Sequence, residues 1–155
     1  MSGTNLTQNI NLLSPTGFKL TINREKFANV EFFITTFGIP SISSGEVQSN
    51  FRNNLGYTPG ESTVFDSLAL RFAIDEDMYN YIEIFNWIKA NSNGIERHDM
   101  ILSVLSSHNN VNKQFQFKDA FPTSLSGVDF STQSSDVEYL QADVTFRYNE
   151  FVIIK

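Results

Sequence analysis

Alternation of apolar and polar residues runs through most of the chain and predicts a protein built mainly from β-strands. In the stretch GFKLTIN, Phe18, Leu20 and Ile22 share one face, and polar side chains lie between them. A period of two is typical of a strand with one buried and one solvated face. The next stretch, EFFITTFGI, is nearly all apolar or β-branched and predicts a second strand that ends before Pro40.

The clearest alternation lies near the C-terminal end, in LQADVTFRY. Its apolar face consists of Leu140, Ala142, Val144, Phe146 and Tyr148, and its polar face of Gln141, Asp143, Thr145 and Arg147. A long strand at the edge of a sheet exposes unpaired peptide groups, which proteins blunt, cover or pair with another strand. The pattern alone fits equally a monomer with a solvated second face and a chain that pairs with a neighbour.

Residues 41–62, SISSGEVQSNFRNNLGYTPGES, lack this regular alternation. They combine three glycines, one proline and two adjacent asparagines with four larger apolar residues: Val47, Phe51, Leu55 and Tyr57. A loop of this length without secondary structure is uncommon in a compact domain and is often functional. We therefore predict an extended arm or long hairpin whose apolar residues lie on another chain. Together with the C-terminal strand, this arm favours a self-assembling β-ring.

Alternation resumes in STVFDSLALRFAID, where Phe65, Leu68, Leu70 and Phe72 are predicted to point inward. The spacing slips by one residue between Phe65 and Leu68, which we interpret as a β-bulge. Further along the chain, MILSVLS and QFQFKD predict two more strands.

One amphipathic helix is predicted at about residues 77–91. Its apolar stripe at helical spacing consists of Met78, Tyr81, Ile82, Phe85 and Ile88. Asp75 or Asp77 is expected to cap the helix and to complement its dipole. The residues 91–94 are expected to end it.

Together these elements predict a mostly β protein (β+α), in which a β-barrel or sandwich carries one flanking helix and a long hairpin arm at 41–62. The polar, Asn-rich residues 1–15 are expected to form an N-terminal arm, and residues 16–155 a single β domain. A chain of 155 residues matches the usual size of one domain. It can bury about two-thirds of the surface of its unfolded form.

The charge balance argues against a surface that grips nucleic acid. Lys and Arg number 11 against 17 Asp and Glu, which gives a formal net charge of -6, and the basic residues are scattered. Binding to nucleic acid requires clustered cations that displace counterions from the phosphates. Contact with DNA is therefore expected to be repulsive or non-adhesive.

Cysteine is absent, which excludes disulfides and thiolate metal sites. The sequence shows no signal peptide and no apolar run of membrane-spanning length, so a soluble protein made in the cytoplasm is expected.

Residues that could carry catalysis or bind a metal are few. His98 and His108 are ten residues apart in predicted turns or strand ends, without the several ligands that a zinc site requires. The triplet Asp75, Glu76 and Asp77 is better explained as charge at the start of a helix. The segment LGYTPGES lacks the Lys-Ser/Thr of a phosphate-binding loop. We expect no catalytic, cofactor or metal site and no enzymatic activity.

Four stretches occur in an order that carries further information. They are IPSISSGEV, NNLGYTPGESTVFDSLALRF, DEDMYNYIEIFNWI and DAFPTSLSGVDFSTQSSDVEYLQADVTFRYNEFVI. They give a strand with the entry to an arm, a returning strand, a helix, and a Pro-Thr corner followed by a long last strand. In order and spacing, over about residues 17–153, they resemble the tail tube proteins of contractile-tailed bacteriophages.

The resemblance implies a structural virion protein, the major tail tube subunit. Six copies would form a ring with a continuous inner β-barrel, and stacked rings would form a hollow tube that conducts the genome into the host cell. DNA would pass through the channel without specific binding. The implied partners are further copies of the chain, the tail sheath protein, and the baseplate and tail terminator proteins. The implied location is the tail of the virion, after assembly in the host cytoplasm.

Three sets of site residues are hypothesised on this basis. Contacts between subunits or rings are assigned to Val47, Phe51, Arg52, Leu55, Tyr57 and Gly60. Candidates for the channel lining are Asp136, Glu138, Asp143 and Arg147. The helix is expected to pack on the barrel through Tyr81, Phe85, Trp87 and Phe121, together with Phe65. Gly60 is expected to allow the arm to return where a side chain or a negative φ does not fit.

Alternative functions are also compatible with the sequence. One is a tube-like baseplate, tube-initiator or terminator component, and another is the inner tube of a phage-derived secretion or injection system. A third is a monomeric ligand-binding β-barrel, which predicts a stable monomer with an apolar pocket instead of rings or tubes.

Overall fold

A computed structural model describes residues 12–13, 15–22, 34–133 and 139–155. Within these residues the strands are β1 (Phe18–Thr21), β2 (Ile34–Phe37), β3 (Ile42–Phe51), β4 (Asn54–Phe65), β5 (Leu68–Ala73), β6 (His98–Leu105), β7 (Val111–Leu125), β8 (Gln141–Arg147) and β9 (Glu150–Ile153). One helix, α1 (Tyr79–Asn91), lies between β5 and β6. The predicted fold class, mostly β with a single helix and a long hairpin, is confirmed. The predicted N-terminal arm lies almost wholly outside the described residues.

Seven of these strands form one sheet in the order β1-β6-β7-β8-β5-β2, with β9 also paired to β7. β8 and β9 continue one register along β7, since Phe121 pairs with Arg147 and Lys118 pairs with Glu150. The alternating C-terminal stretch is therefore β8 followed by β9, with a short interruption at residues 148–149.

The sheet turns a corner within β7, at Asp119. This residue has a left-handed backbone conformation, with φ of 55°. Its N–H donates to Asp99 Oδ1 at 3.0 Å, and its Oδ2 accepts from Asn149 Nδ2 at 2.9 Å. The corner predicted at Pro122 and Thr123 is therefore wrong: the chain turns a few residues earlier, at Asp119, and Pro122 continues the strand. Proline fits there because the second half of β7 lies at a sheet edge and needs no N–H donor on that side.

The corner divides the sheet into two halves around one core. One half contains β1, β6, the first part of β7 and β9; the other contains the second part of β7, β8, β5 and β2. The core residues are Leu20, Ile22, Leu68, Leu70, Phe72, Ile84, Trp87, Met100, Leu102, Val104, Phe117, Ala120, Ala142, Val144 and Phe146. The two edge strands approach each other through the rings of Phe18 and Phe37, whose centroids are 6.3 Å apart. Alternation predicted these buried faces of β1, β5 and β8 correctly.

β3 and β4 form a separate two-stranded sheet, the arm hairpin. The one-residue slip between Phe65 and Leu68 was predicted to be a β-bulge, but it is a corner between two sheets. β4 ends at Phe65, and β5 begins at Leu68 in the main sheet. The alternation of inward-facing residues shifts by one position because the chain passes from the arm hairpin to the main sheet, where the opposite side of the strand faces the core.

Helix α1 starts differently from the prediction. Neither Asp75 nor Asp77 caps it; the N-cap residue is Met78, with φ of 57° and no side-chain cap. The buried amide of Asn80 instead holds the turn between β5 and the helix. Its Nδ2 donates to Ala73 O at 2.7 Å, and its Oδ1 accepts from the backbone N–H of Tyr81 at 2.8 Å. A buried side chain therefore positions the helix on the end of β5.

Candidate functional site

The arm hairpin carries apolar side chains on both of its faces. In its register Val47 pairs with Thr58, and Phe51 pairs with Asn54, so these positions lie on one face. Leu55 and Tyr57 pair with Asn50 and Gln48 and lie on the opposite face. The exposed fractions are 53% for Val47, 64% for Phe51, 53% for Leu55 and 56% for Tyr57. Large apolar side chains exposed on both faces of one hairpin are typical of a surface that binds a partner.

The tip of the arm is a tight turn at Arg52 and Asn53. Asn53 has φ of 62°, a left-handed conformation that asparagine tolerates better than most residues. The ring of Phe51 folds back over Gly56, where an added Cβ would lie only 2.5 Å from Cε2 of that ring. The absence of a side chain at Gly56 thus leaves room for the Phe51 ring across the hairpin. Arg52 is exposed at the end of the arm.

Two glycines meet where the register of the arm shifts. The shift lies between Ser44 and Glu46, next to Gly45. A Cβ added to Gly60 would lie 2.7 Å from the carbonyl carbon of Gly45, so no side chain fits. Gly60 does not have a positive φ, which corrects the second reason that the sequence offered for this glycine. The close approach of two backbones alone requires it.

Substituting the two glycines is expected to give opposite results. Gly60→Ala places a methyl group against backbone, which costs about 1–3 kcal/mol of overpacking and opens the hairpin at the shift. Gly45→Ala is the matched control, because its added Cβ would meet nothing closer than Ser62 Oγ at 3.7 Å. We expect amide hydrogen exchange of the arm to accelerate only in Gly60→Ala. Equal exchange in both variants would contradict this account of the bulge.

An aromatic cluster holds the root of the arm on the main sheet. The ring of Phe65 lies 5.2 Å from Phe151 and 6.1 Å from Tyr148. Phe65 was predicted to pack on the helix, but it packs at the root of the arm because β4 ends beside β9. Tyr148 OH donates to Asp66 O at 2.6 Å, and Ser41 Oγ donates to the Asp66 carboxylate. Burial, with the nearby charge of Asp66, raises the pKa of Tyr148 to about 12.

The polar face of β5 and β8 contains one ion pair at its centre. Arg71 and Asp143 are register partners on neighbouring strands. Arg71 Nε lies 2.8 Å from Asp143 Oδ1, and Nη2 lies 3.5 Å from Oδ2. This hydrogen bond, followed by the charge of Asp143, raises the pKa of Arg71 above its usual value. Asp143 is thus paired with a cation rather than offering a free negative charge.

The other channel candidates are placed only in part. Arg147 lies on the same face as Asp143 and is exposed at the end of β8. Asp136 and Glu138 lie outside the described residues. Sequence reasoning missed Arg71, although its alternation in LALRFAID places it on the polar face of its strand. Finding its partner requires the register of β5 against β8, which the sequence does not show.

The half-sheet that bears this polar face has two unpaired edges within the described residues. β2 pairs with β5 on one side only, and residues 121–125 of β7 pair only with β8. β6 pairs with β7 as far as Ala120 and leaves that edge of residues 121–125 open. Unpaired strand edges are templates for pairing with another chain.

Helix α1 closes the core on the side opposite the polar face. Trp87 is 2% exposed, and its ring lies 5.7 Å from Phe146, which points into the core. Trp87 Nε1 donates to Glu96 O at 2.9 Å, and Tyr81 OH donates to Ser126 O at 3.1 Å.

The other two residues assigned to helix packing are less buried. Phe85 is 48% exposed and lies beneath Lys89 Nζ, 5.5 Å from the centre of the ring. Phe121 is half-buried beside the guanidinium of Arg97, which lies 5.3 Å from its ring. Trp87 and Ile84, which are 2% and 0% exposed, therefore make the main core contacts of the helix, with Tyr81 half-buried beside them. The predicted apolar stripe is wrong at Ile82 and Phe85, which are 44% and 48% exposed, because the buried face of the helix runs through Asn80, Ile84 and Trp87.

Groups with catalytic potential do not converge in the described part of the chain. His98 Nε2 lies 2.9 Å from Glu96 Oε1, and its ring packs against Trp87 at 5.2 Å, so it belongs to the helix contact. No group of three or more His, Cys, Asp or Glu that could hold a metal occurs among the described residues. Over the same residues, no helix is both long and apolar enough to cross a membrane.

Among the described residues, the fold is thus a β-sandwich with a hairpin arm, one polar sheet face and two unpaired strand edges. The sequence from residue 16 to residue 151 matches the family of the T4-like virus tail tube protein gp19. Because the match covers most of the chain, the protein belongs to this tail tube family. No curated protein sequence matches the chain.

Solved structures show the same fold. A chain of the PVC sheath-tube complex, from an extracellular contractile injection system in its extended state, matches with a TM-score of 0.70 and 19% identity, over 99% of this chain and 98% of that one. A chain of the tube-terminating cap of the anti-feeding prophage matches with a TM-score of 0.69 and 17% identity, over 99% and 98%. A chain of the anti-feeding prophage baseplate matches with a TM-score of 0.67 and 11% identity, over 88% and 90%.

Family and fold together place the protein among the structural components of phage tails and phage-like injection systems. The resemblance to tail tube proteins is thereby confirmed. The roles of the arm and channel residues in assembly stay predictions.

Proposed function

We propose that the chain is the repeating subunit of a hollow tail tube, in which six copies form each ring and the rings stack. One observation carries this proposal: the described residues form a four-stranded half-sheet with one face in the core, one polar face and two unpaired edges. If β2 of one subunit pairs with the second half of β7 in the next, the half-sheet runs from subunit to subunit and closes into a barrel, which removes both of its open edges. The sixfold symmetry of the related baseplate supports six copies.

A barrel built in this way is wide enough to conduct cargo. Six copies, each contributing four strands, exceed the roughly 16–18 strands of a porin, which already leave an aqueous channel. The polar face of β5 and β8 lines the channel, because their other face is buried in the core. Helix α1 lies on the far side of the core from that face and therefore on the outside of the ring.

The arm hairpin joins neighbouring copies. With about 3.3 Å per residue, its ten-residue strand β3 reaches about 30 Å from the root. Its two apolar faces are covered when it lies between surfaces of adjacent subunits or rings. The arm is thus the contact that stacks rings, and β-strand pairing is the contact that closes them.

The cargo is the genome of a phage, which moves to the host cell through the channel without specific binding. The outer surface meets the tail sheath, and the two ends of the tube meet baseplate and terminator proteins, in keeping with the sheath-tube complex and the cap among the related structures. The subunits assemble in the host cytoplasm into the tail of the virion. The protein itself catalyses no reaction, and residues 16–155 act as one assembly domain preceded by an arm.

A second candidate function follows from one of the comparisons. The fold is shared with a chain of a baseplate, so a specialised ring at one end of a tube is also supported. Such a component would form single rings and would not stack into long tubes. An inner tube of an injection system would form the same tubes but carry proteins instead of DNA.

Electron microscopy and cysteine cross-linking test the proposed tube together. In negative stain, the protein at high concentration is expected to form rings or hollow tubes, and a stable monomer at every concentration would contradict the proposal. The chain has no cysteine, so paired substitutions report on single contacts. Thr36→Cys combined with Thr123→Cys or Ser124→Cys is expected to give a disulfide ladder that ends at the hexamer.

The cross-link discriminates between subunits because of its geometry. A disulfide needs Cα atoms within about 7 Å, whereas β2 and β7 of one subunit are three strand spacings apart, about 14 Å. Single-cysteine variants are the control and should not produce a ladder. Tubes that form without any ladder would retain the tube but reject the pairing of β2 with β7.

A further inference from the structure

The ion pair on the polar sheet face engages two of the three guanidinium nitrogens of Arg71, the most central arginine of that face. Arg71 directs Nε and Nη2 at the two carboxylate oxygens of Asp143, at 2.8 and 3.5 Å. Both side chains are about half exposed, at 52% and 57%. The pair is thus open to solvent and to anything that moves along this face.

The backbone of Asp143 is held in place by a second contact. Its N–H donates to Ser126 Oγ at 2.8 Å, and its carbonyl oxygen accepts from the Ser126 N–H at 2.8 Å. Because Ser126 bonds both the N–H and the carbonyl of this residue, the backbone of Asp143 is held in register opposite Arg71.

The residues next to this pair in register carry no charge. They are Thr36 on β2, Ala69 and Ala73 on β5, and Thr145 and Gln141 on β8. Arg147 lies four residues from Asp143 along β8, about 13 Å away. This exceeds the Debye length of about 8 Å at physiological ionic strength, so Arg147 and the ion pair act on an anion nearly independently.

Stability does not account for the pair, because exposed ion pairs contribute only about 0–1 kcal/mol. An arginine fork without a carboxylate partner binds phosphate strongly, since its planar donors match two phosphate oxygens. Six such forks around the channel would bind a passing polyanion at several phosphates at once. By pairing with Arg71, the carboxylate of Asp143 would prevent this retention of the cargo.

We propose that Asp143 neutralises Arg71 against polyanionic cargo, so that each subunit holds a latent phosphate-binding site that is closed in the native protein. The proposal rests on the proposed function, which places this face in the channel. It goes beyond a general repulsion by acidic residues, because non-adhesion here depends on one carboxylate masking one guanidinium. Asp143 is therefore expected to determine whether cargo passes or is retained.

Binding of DNA to assembled tubes tests the proposal. The variants are Asp143→Asn, which removes the charge at constant size, Arg71→Gln, and the two combined. Each is assembled, checked in negative stain and sedimented with a short, fluorescently labelled DNA duplex over a series of salt concentrations. Asp143→Asn tubes are expected to bind the duplex at least about tenfold more tightly than wild type at low salt. The logarithm of the association constant should fall with the logarithm of the salt concentration, with a slope of about 0.9 for each phosphate contacted.

The controls separate this inference from the proposed function. The double variant should bind no more DNA than wild type, because the unmasked guanidinium is absent. Assembled Asp143→Asn tubes that bind DNA no better than wild type would overturn the inference and leave the tube proposal standing. A wild-type protein that forms neither rings nor tubes would overturn both. If Asp143→Asn fails to assemble while Arg71→Gln assembles, the carboxylate serves assembly, and the masking role is rejected.

Discussion

Replacing residues 48–57 with an Asn-Gly turn is expected to abolish tube formation and to leave the subunit folded. Val47 and Thr58 are register partners, so a two-residue turn can close the shortened hairpin without disturbing its root. The removed residues lie outside the core. The free energy of unfolding should therefore change by less than about 0.5 kcal/mol.

The loss of assembly follows from the apolar surface that the shortened arm no longer offers. Phe51, Leu55 and Tyr57 are each more than half exposed in the subunit. Full burial of a large apolar side chain stabilises a contact by about 1.5–3 kcal/mol. Each ring would lose these contributions at every subunit. Tubes counted by electron microscopy, with urea unfolding of the same samples, provide the measurement.

A register pair in the arm supplies the matched control. Gln48 and Tyr57 lie directly opposite each other and share one face of the hairpin. We expect Tyr57→Ser to impair tube formation and Gln48→Ser to leave it unchanged, because only the tyrosine offers apolar area. Tubes of normal length from the shortened-arm variant would rule out the docking role of the arm.

The buried faces of the strands could be predicted from the sequence because burial itself imposes the period of two. Leu68, Leu70 and Phe72 are 0–2% exposed, and the residues between them face solvent or are half-buried. The same holds for Ala142, Val144 and Phe146 on β8. Each strand reports its own two faces whatever its neighbours are, so no knowledge of the topology was needed.

The corners could not be predicted, because each depends on contacts between distant segments. Phe65 and Leu68 look like one irregular strand until the chain is seen to change sheets between them. Asp119 turns the long strand because Asp99 and Asn149 bind it, and both lie in distant segments of the chain. Local propensity favoured the proline a few residues later, which the free edge of the strand accommodates.

The candidate site was predictable in its apolar part and not in its charged part. Val47, Phe51 and Tyr57 stand out as large apolar residues in a polar, Gly-containing segment, and the hairpin exposes them. Asp143 was correctly placed on the polar face of its strand, but its pairing with Arg71 depends on the register of two strands about 70 residues apart in sequence. Charge counted along a chain does not reveal which charges neutralise one another.

Trp87→Ala is expected to destabilise the subunit by about 3–5 kcal/mol, the usual cost of removing a buried large aromatic side chain. Trp87 is 2% exposed and packs between Phe146 and His98, at ring distances of 5.7 and 5.2 Å. The cavity would open between the helix and the core of β8. Since a domain is stable by about 5–15 kcal/mol, the loss is a large fraction of the total. Urea unfolding monitored by circular dichroism measures it.

Two variants on the same helix locate the origin of the effect. Trp87→Phe keeps a ring in the core but loses the hydrogen bond from Nε1 to Glu96 O, at 2.9 Å, so a smaller loss of about 1–3 kcal/mol is expected. Phe85→Ala removes a ring that is 48% exposed, and the change should stay below about 1 kcal/mol. If Phe85→Ala destabilised the isolated subunit as much as Trp87→Ala, the helix would be anchored by its exposed side. The placement of Trp87 as the main contact between helix and core would then be wrong.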